Sequence, residues 1–268
     1  MLFSLFGNGF DKDAIVTLLL SLPVILISLT VHEVSHGFIA YKCGDPTARN
    51  LGRLTLNPLK HLDPMGALSM LLVGFGWAKP VPIIPRNFKK PRRDIALVSL
   101  AGPVSNLLLA LVSALLYTVL LKTFYLFSDL SGSVSLSTFL NLVLGGNGAK
   151  ILLYSHSWLF QAYFSNLQIV VLTVFQLMTM LNIGLALFNL IPLPPLDGSK
   201  ILASVLPQNL AVKYLRIEQY TGIIFLVIIL IGNFGGPLSN LSDYIFWPLN
   251  ALRELLLTLY MKIFWFIL

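Results

Sequence analysis

The chain has 268 residues, 56% of them apolar and only 11% charged, with a mean hydropathy of +0.83. That balance excludes an ordinary soluble domain, which needs far more charge to cover its surface, and marks a polytopic membrane protein. The net charge is +7, but ten of the 18 basic residues lie between Lys42 and Arg93, beside apolar spans. This is the mark of a cytoplasmic loop near anionic lipid and argues against a nucleic-acid partner. Cys43 is the only cysteine, so an intrachain disulfide and a cysteine-rich zinc site are both excluded.

The first 13 residues carry Asp11, Lys12 and Asp13 rather than a basic leader, and no small-residue cleavage pattern ends the apolar run behind them. That run reads as a retained span. Ala14 to Val31 is uncharged and long enough to cross most of a bilayer, and the helix is expected to continue through Val31–Tyr41. Pro23 inside it is tolerated better in a membrane helix than in a soluble one.

Gly44 to Asp94 is rich in Gly, Pro, Asn and Arg, with short apolar runs at Leu51–Leu56, Ala67–Phe75 and Val81–Ile84. None can span, so short strands and a re-entrant or interfacial segment are expected. Ile95–Leu121 is a second span, Phe124–Gly148 a loop poor in basic charge, and Leu167–Ile191 a third span. Gly222–Ile231 anchors a short fourth span. Tyr244–Leu268, broken by Arg253 and Glu254, reads either as a fifth or as an amphipathic interfacial helix.

The expected fold is therefore all-α, with four to five transmembrane helices and a re-entrant, β-hairpin-containing membrane-associated loop. It forms one domain over 1–268, with a core at about 14–206 and C-terminal membrane helices at about 217–268. The distribution of basic residues places the Lys42–Arg93 loop, and the segment with Lys200, Lys213 and Arg216, in the cytoplasm, and the N-terminus outside.

His32-Glu33-Val34-Ser35-His36 is the motif that carries chemistry. Helical residues four apart differ by about 40° in azimuth, so both imidazoles can face one ion. Glu33 lies about 100° round from His32, suited to act on a water beside the ion rather than to ligate it. Ionisable groups inside a membrane span are costly and seldom incidental. A catalytic zinc site needs a third protein ligand. Asp197 falls just past the third span, in the same leaflet as the histidines. Pro192, Pro194 and Pro195 stop the helix and leave an extended segment that can bring Asp197 inward, and Gly198 permits a turn.

With these residues in place, the sequence resembles the site-2 protease family of intramembrane metalloproteases. The resemblance is carried by His32–His36, by Asn189 to Asp197-Gly198, by Ala101-Gly-Pro-Val-Ser-Asn106, and by the loop Leu51–Pro64. It extends from about Ala14 to Lys200 and is nearest the compact subgroup lacking PDZ and nucleotide-sensing modules. It implies one Zn2+ held by His32, His36 and Asp197, Glu33 as catalytic base, and Asn189 as a polar active-site residue. It also implies transmembrane-helix substrates in a lipid bilayer, cut after an upstream site-1-type protease has acted, with release of a cytoplasmic fragment or clearance of signal-peptide remnants.

Asn106 and Asn189 are uncharged polar groups in apolar spans, suited to stabilise an oxyanion or hold a substrate strand, or to join helices. His61 reads as an interfacial loop histidine, with a substrate contact as the alternative. His156 falls in the external loop, away from the other three. Arg86–Arg93 is a positive-inside anchor. Trp77 and Lys79-Pro-Val-Pro82 suggest an edge strand able to pair with an extended substrate. Two other functions fit the composition: a divalent-metal transporter, and a silent protein that only binds membrane helices. The first needs ligands on both sides of a barrier, whereas all candidates here cluster at one face; the second has no need of Glu33.

Overall fold

The computed structural model describes residues 12–73, 77–128, 132, 164–217, 219–220, 250–260 and 263. Among these residues seven α-helices with defined bounds lie in chain order: α1 (Lys12–Cys43), α2 (Thr47–Asn50), α3 (Pro64–Val73), α4 (Pro91–Leu126), α5 (Asn166–Asn189), α6 (Asp197–Val205) and α7 (Gln208–Leu215). A further helix, α8, covers 250–260. Among the described residues α1, α4 and α5 alone are long and apolar enough to span, through stretches of 29, 36 and 24 residues. At about 1.5 Å per residue each exceeds the roughly 30 Å hydrocarbon core of a bilayer. The second span runs past its expected end, since helix α4 continues through Phe124, Tyr125 and Leu126.

The polarity of the three spans is inverted relative to a soluble bundle. Leu19, Ile27, Leu108, Val112 and Leu167 are exposed, while Ser28, Thr30, Asn106, Ser113, Thr118, Gln176 and Asn182 are buried. In hydrocarbon, apolar side chains gain nothing from facing inward, so small and polar residues occupy the seams and hydrogen-bond there. Ser28, for example, donates to Val24 O at 2.7 Å and accepts from Asn182 Nδ2 at 2.8 Å, joining α1 to α5. Ala110 of α4 packs with Ile183 and Leu187 of α5, and Leu257 of α8 closes this cluster.

Gly44 ends α1 in the left-handed region at φ 111°, where only glycine is unstrained. Asp45 follows, fully buried. Its Oδ1 accepts from Thr47 N at 3.2 Å, from the Thr47 hydroxyl and from Asn87 Nδ2 at 2.8 Å, and its Oδ2 accepts from Ile84 N at 2.7 Å. One carboxylate thus ties the end of α1 to the segment before α4. Burial pushes its pKa up, but these N–H and hydroxyl donors outweigh that and hold it below the ordinary value.

The loop departs from expectation. Among the described residues no strand forms, and the expected β-hairpin is reduced to one isolated antiparallel bridge between Leu62 and Ala78. The donors a ladder would need are absent or used elsewhere. Pro80 and Pro82 have no N–H, Val81 N donates to Glu33, and Ile84 N donates to Asp45. In Leu51–Leu56 the Thr55 carbonyl accepts from His61 Nε2 at 2.9 Å. Residues 67–73 of the run Ala67–Phe75 lie in α3, whose 10 residues reach about 15 Å, too short to cross. The expected fourth span, most of Tyr244–Leu268 and His156 lie outside the described residues.

Candidate metal centre

The histidines sit on the C-terminal half of α1, one turn apart and both buried. The α4 face against them is defined by two backbone features. Val98 O accepts from His36 Nδ1–H at 2.7 Å, which leaves His36 Nε2 with a free lone pair on its inner side. One turn on, Gly102 leaves room for the rings. A Cβ there would lie 2.5 Å from His36 Nε2, 2.5 Å from His32 Cε1 and 2.6 Å from His32 Nε2. No side chain larger than hydrogen fits between α4 and the imidazoles.

Asp197 arrives from the other side. After α5 ends at Asn189, the chain passes through bends and turns, with a cis peptide between Pro194 and Pro195. Asp197 then opens α6 rather than closing an extended segment. Gly198 is required here by proximity: a Cβ would lie 2.2 Å from Leu190 O and 2.5 Å from Ile191 O. That contact lets the first turn of α6 fold back on the end of α5. The Tyr214 hydroxyl donates to Pro192 O and pins the same segment from α7.

The result is a compact triangle. Asp197 Oδ2 lies 3.2 Å from His32 Nε2 and 3.1 Å from His36 Nε2, and the two Nε2 atoms are 3.0 Å apart. Zinc ligands at about 2.0–2.1 Å and tetrahedral angles stand about 3.3–3.4 Å from one another. The triangle therefore needs to open by only a few tenths of an ångström to hold one ion above its plane. All three residues are buried, and they form the one such group of metal-binding side chains among the described residues. Neutral imidazoles and a carboxylate are a donor set that zinc accepts.

Glu33 stays out of this triangle. Its Oε2 accepts from Val81 N at 2.9 Å, which fastens the loop before α4 to the histidine helix. The remaining expected residues are distributed more widely. Asn106 is wholly buried on α4, one turn beyond Gly102, and neither of its amide atoms has a partner among the described residues. Asn189 is half-buried at the end of α5 and donates from Nδ2 to Leu185 O at 2.9 Å. His61 is buried in the loop; its backbone carbonyl accepts from Lys79 N at 2.8 Å. The triangle does not include it.

Sequence reasoning passed over three contributors. Lys200 Nζ lies 3.5 Å from Asp197 Oδ1, so one carboxylate oxygen faces the histidines and the other a cation. Its i+3 spacing on α6 was the available signal. The Val98 carbonyl and the Val81 N–H are backbone groups and leave no mark in side-chain composition.

Comparison with known proteins agrees with this geometry. Residues 21–230 match the model of Peptidase family M50. YwhC of Bacillus subtilis, described as a candidate zinc metalloprotease, is 39% identical over 241 residues, 90% of each chain. Rip2 of Mycolicibacterium smegmatis, described in the same terms, is 38% identical over 92 residues, 32% of this chain and 35% of its own. No solved structure matches. A buried His32–His36–Asp197 triangle on membrane-length helices, and a family match across most of the sequence, place the chain in peptidase family M50, the site-2 protease family of zinc metalloproteases.

Proposed function

We propose that the chain is an endopeptidase that cuts membrane-spanning segments of other proteins near the cytoplasmic side of the bilayer. The observation that carries this reading is the convergence of His32, His36 and Asp197 at a buried point between membrane-length helices. Such a site is accessible to a substrate within the membrane plane rather than to a folded soluble protein. The basic residues of Lys42–Arg93 support a cytoplasmic location for this end.

His32, His36 and Asp197 would hold one zinc ion, which would supply a Lewis acid for the peptide carbonyl and a water of lowered pKa. Glu33 is the proton carrier: it takes a proton from the attacking water as the C–O bond forms. It then delivers that proton to the amine as the C–N bond breaks. Asn189 contacts the substrate backbone, and His61 serves the loop that Glu33 and Asp45 anchor. A substrate helix has to unwind to present a scissile bond, so Gly, Pro or Asn near the cut favour cleavage. An upstream protease that removes the exterior part of the substrate would precede this step.

The test is reconstitution of the purified chain in liposomes with tagged single-span substrates, and mass spectrometry of the products. Cuts inside the hydrophobic segment, abolished by a zinc chelator and restored by zinc, support the proposal. Cuts confined to soluble flanks would overturn it. Zinc flux across the vesicle without any product would instead identify a transporter.

A further inference from the structure

Four buried polar atoms on the three spanning helices have no partner among the described residues: His32 Nδ1, Asn106 Oδ1, Asn106 Nδ2 and Asn182 Oδ1. Leaving such groups unpaired in a low-dielectric interior is costly, so their grouping calls for a physical account. Their positions supply one. Val98 meets His36, and Gly102 meets both rings. Asn106 therefore sits one further turn along the same face of α4, which runs opposite to α1, near the level of Ser28 and the Nδ1 edge of His32. Asn182 of α5 reaches that level too, because its Nδ2 donates to Ser28 Oγ at 2.8 Å. Both asparagines are wholly buried.

The donors and acceptors are complementary. His32 offers Nδ1–H once its Nε2 faces an ion, and Asn106 Oδ1 accepts. Asn106 Nδ2 donates, and Asn182 Oδ1 accepts. The remaining links are already in place: Asn182 Nδ2 donates to Ser28 Oγ and, at 2.7 Å, to Met178 O, and Ser28 Oγ donates to Val24 O. His36 Nδ1 has its partner in the Val98 carbonyl, whereas His32 Nδ1 has none among the described residues. We propose that Asn106 is the positioning residue for His32, the centre of a chain His32–Asn106–Asn182–Ser28 closed directly or through single waters, which fixes the His32 tautomer and ring for metal binding. The proposal rests on His32 being a metal ligand. It assigns Asn106 to the metal centre and not to the oxyanion.

The experiment titrates zinc into the full-length, metal-stripped chain in detergent against a chromophoric chelator, and also records the unfolding temperature of the metal-free protein. Loss of an outer hydrogen bond to a ligating histidine typically weakens metal binding about 10–100-fold. Asn106→Leu should fall in that range with the metal-free unfolding temperature unchanged. Asn106→Asp, which keeps an acceptor for Nδ1–H, should bind zinc within about threefold of wild type, outside the range for a lost outer hydrogen bond. Asn182→Leu should weaken binding less than Asn106→Leu, and the double variant no more than Asn106→Leu alone, as expected for members of one network. If Asn106→Leu does not fold, Asn106→Asp and Asn182→Leu decide. Zinc affinity of Asn106→Leu equal to wild type, or of Asn106→Asp as poor as Asn106→Leu, overturns the proposal. His32→Ala separates the two levels. If it loses zinc while Asn106→Leu retains it, only the positioning role fails. If it binds like wild type, the ligand assignment fails and the proposal with it.

Discussion

The Val81 N–H donates to Glu33 Oε2 at 2.9 Å, so the carboxylate beside the metal triangle also holds the loop that leads into α4. The loop contact and the proposed proton transfer meet in one side chain, and substitution can separate them. Glu33→Gln keeps a carbonyl oxygen that accepts from Val81 but cannot carry a proton. It should bind zinc as wild type does, keep the loop seated, and lose about 10²–10⁴-fold in cleavage rate. Glu33→Ala should lose activity as well and, unlike Gln, accelerate amide exchange at 78–84. Wild-type cleavage by Glu33→Gln would remove the base assignment.

Asp197 supplies one oxygen to the triangle and the other to Lys200. Asp197→Ala should weaken zinc binding by more than the roughly 10–100-fold of a supporting group, measured by chelator competition. Lys200→Met, which removes only the half-exposed outer partner of the Asp197 carboxylate, should leave zinc bound and change affinity by a few-fold at most.

Two helical glycines make a matched pair. At Gly102 a Cβ would collide with both histidines, whereas at Gly184 on α5 it would meet nothing within 4 Å. Gly102→Ala should abolish metal binding, on top of the roughly 1–3 kcal/mol typical of overpacking. Gly184→Ala should leave zinc affinity intact and stabilise the helix by up to about 1 kcal/mol. Thermal unfolding with and without zinc distinguishes them. Retained zinc in Gly102→Ala would mean that α4 can retreat from α1.

Asp45 gives a pH dependence outside the spans. Its folded pKa lies below the reference of 3.8, so its stabilisation of the loop is fully present above that value. It is lost as pH falls through the folded pKa, because the protonated carboxyl no longer accepts as an anion. Amide exchange at 81–88 should therefore be flat from neutral pH to about pH 4 and rise below it, once corrected for intrinsic rates. Asp45→Ala should show fast exchange there already at neutral pH. Hydrogen bonds to a charged group contribute about 1.5–3 kcal/mol each, enough for the loss to be plain. An exchange profile for Asp45→Ala that tracks wild type would remove Asp45 as the anchor.

The His32–His36 pair, the three spans and the link to Asp197 were legible because each rests on periodicity or charge economy. Eighteen uncharged residues need a bilayer, and two histidines one helical turn apart share a face. The loop departs from the expected strands because short apolar runs pair as strands only if their N–H groups are free. At Val81 and Ile84 those donors go to Glu33 and Asp45, from distant parts of the chain. Gly102 is similar. A glycine in a span suggests close packing, but the sequence does not say that the packing partners are the histidine rings.

By itself the sequence determined the solvent, the number of histidines available and the face they share, since these follow from local spacing and composition; the family came from the likeness of whole motifs to known proteins. Only the tertiary structure decided that Asp197 Oδ2 closes a triangle of about 3 Å with both Nε2 atoms, that backbone groups at Val98 and Val81 orient His36 and Glu33, and that Asn106 and Asn182 are wholly buried. Those relationships join residues up to 165 positions apart. Their distances depend on how closely three helices approach, which small residues permit but which no local pattern encodes.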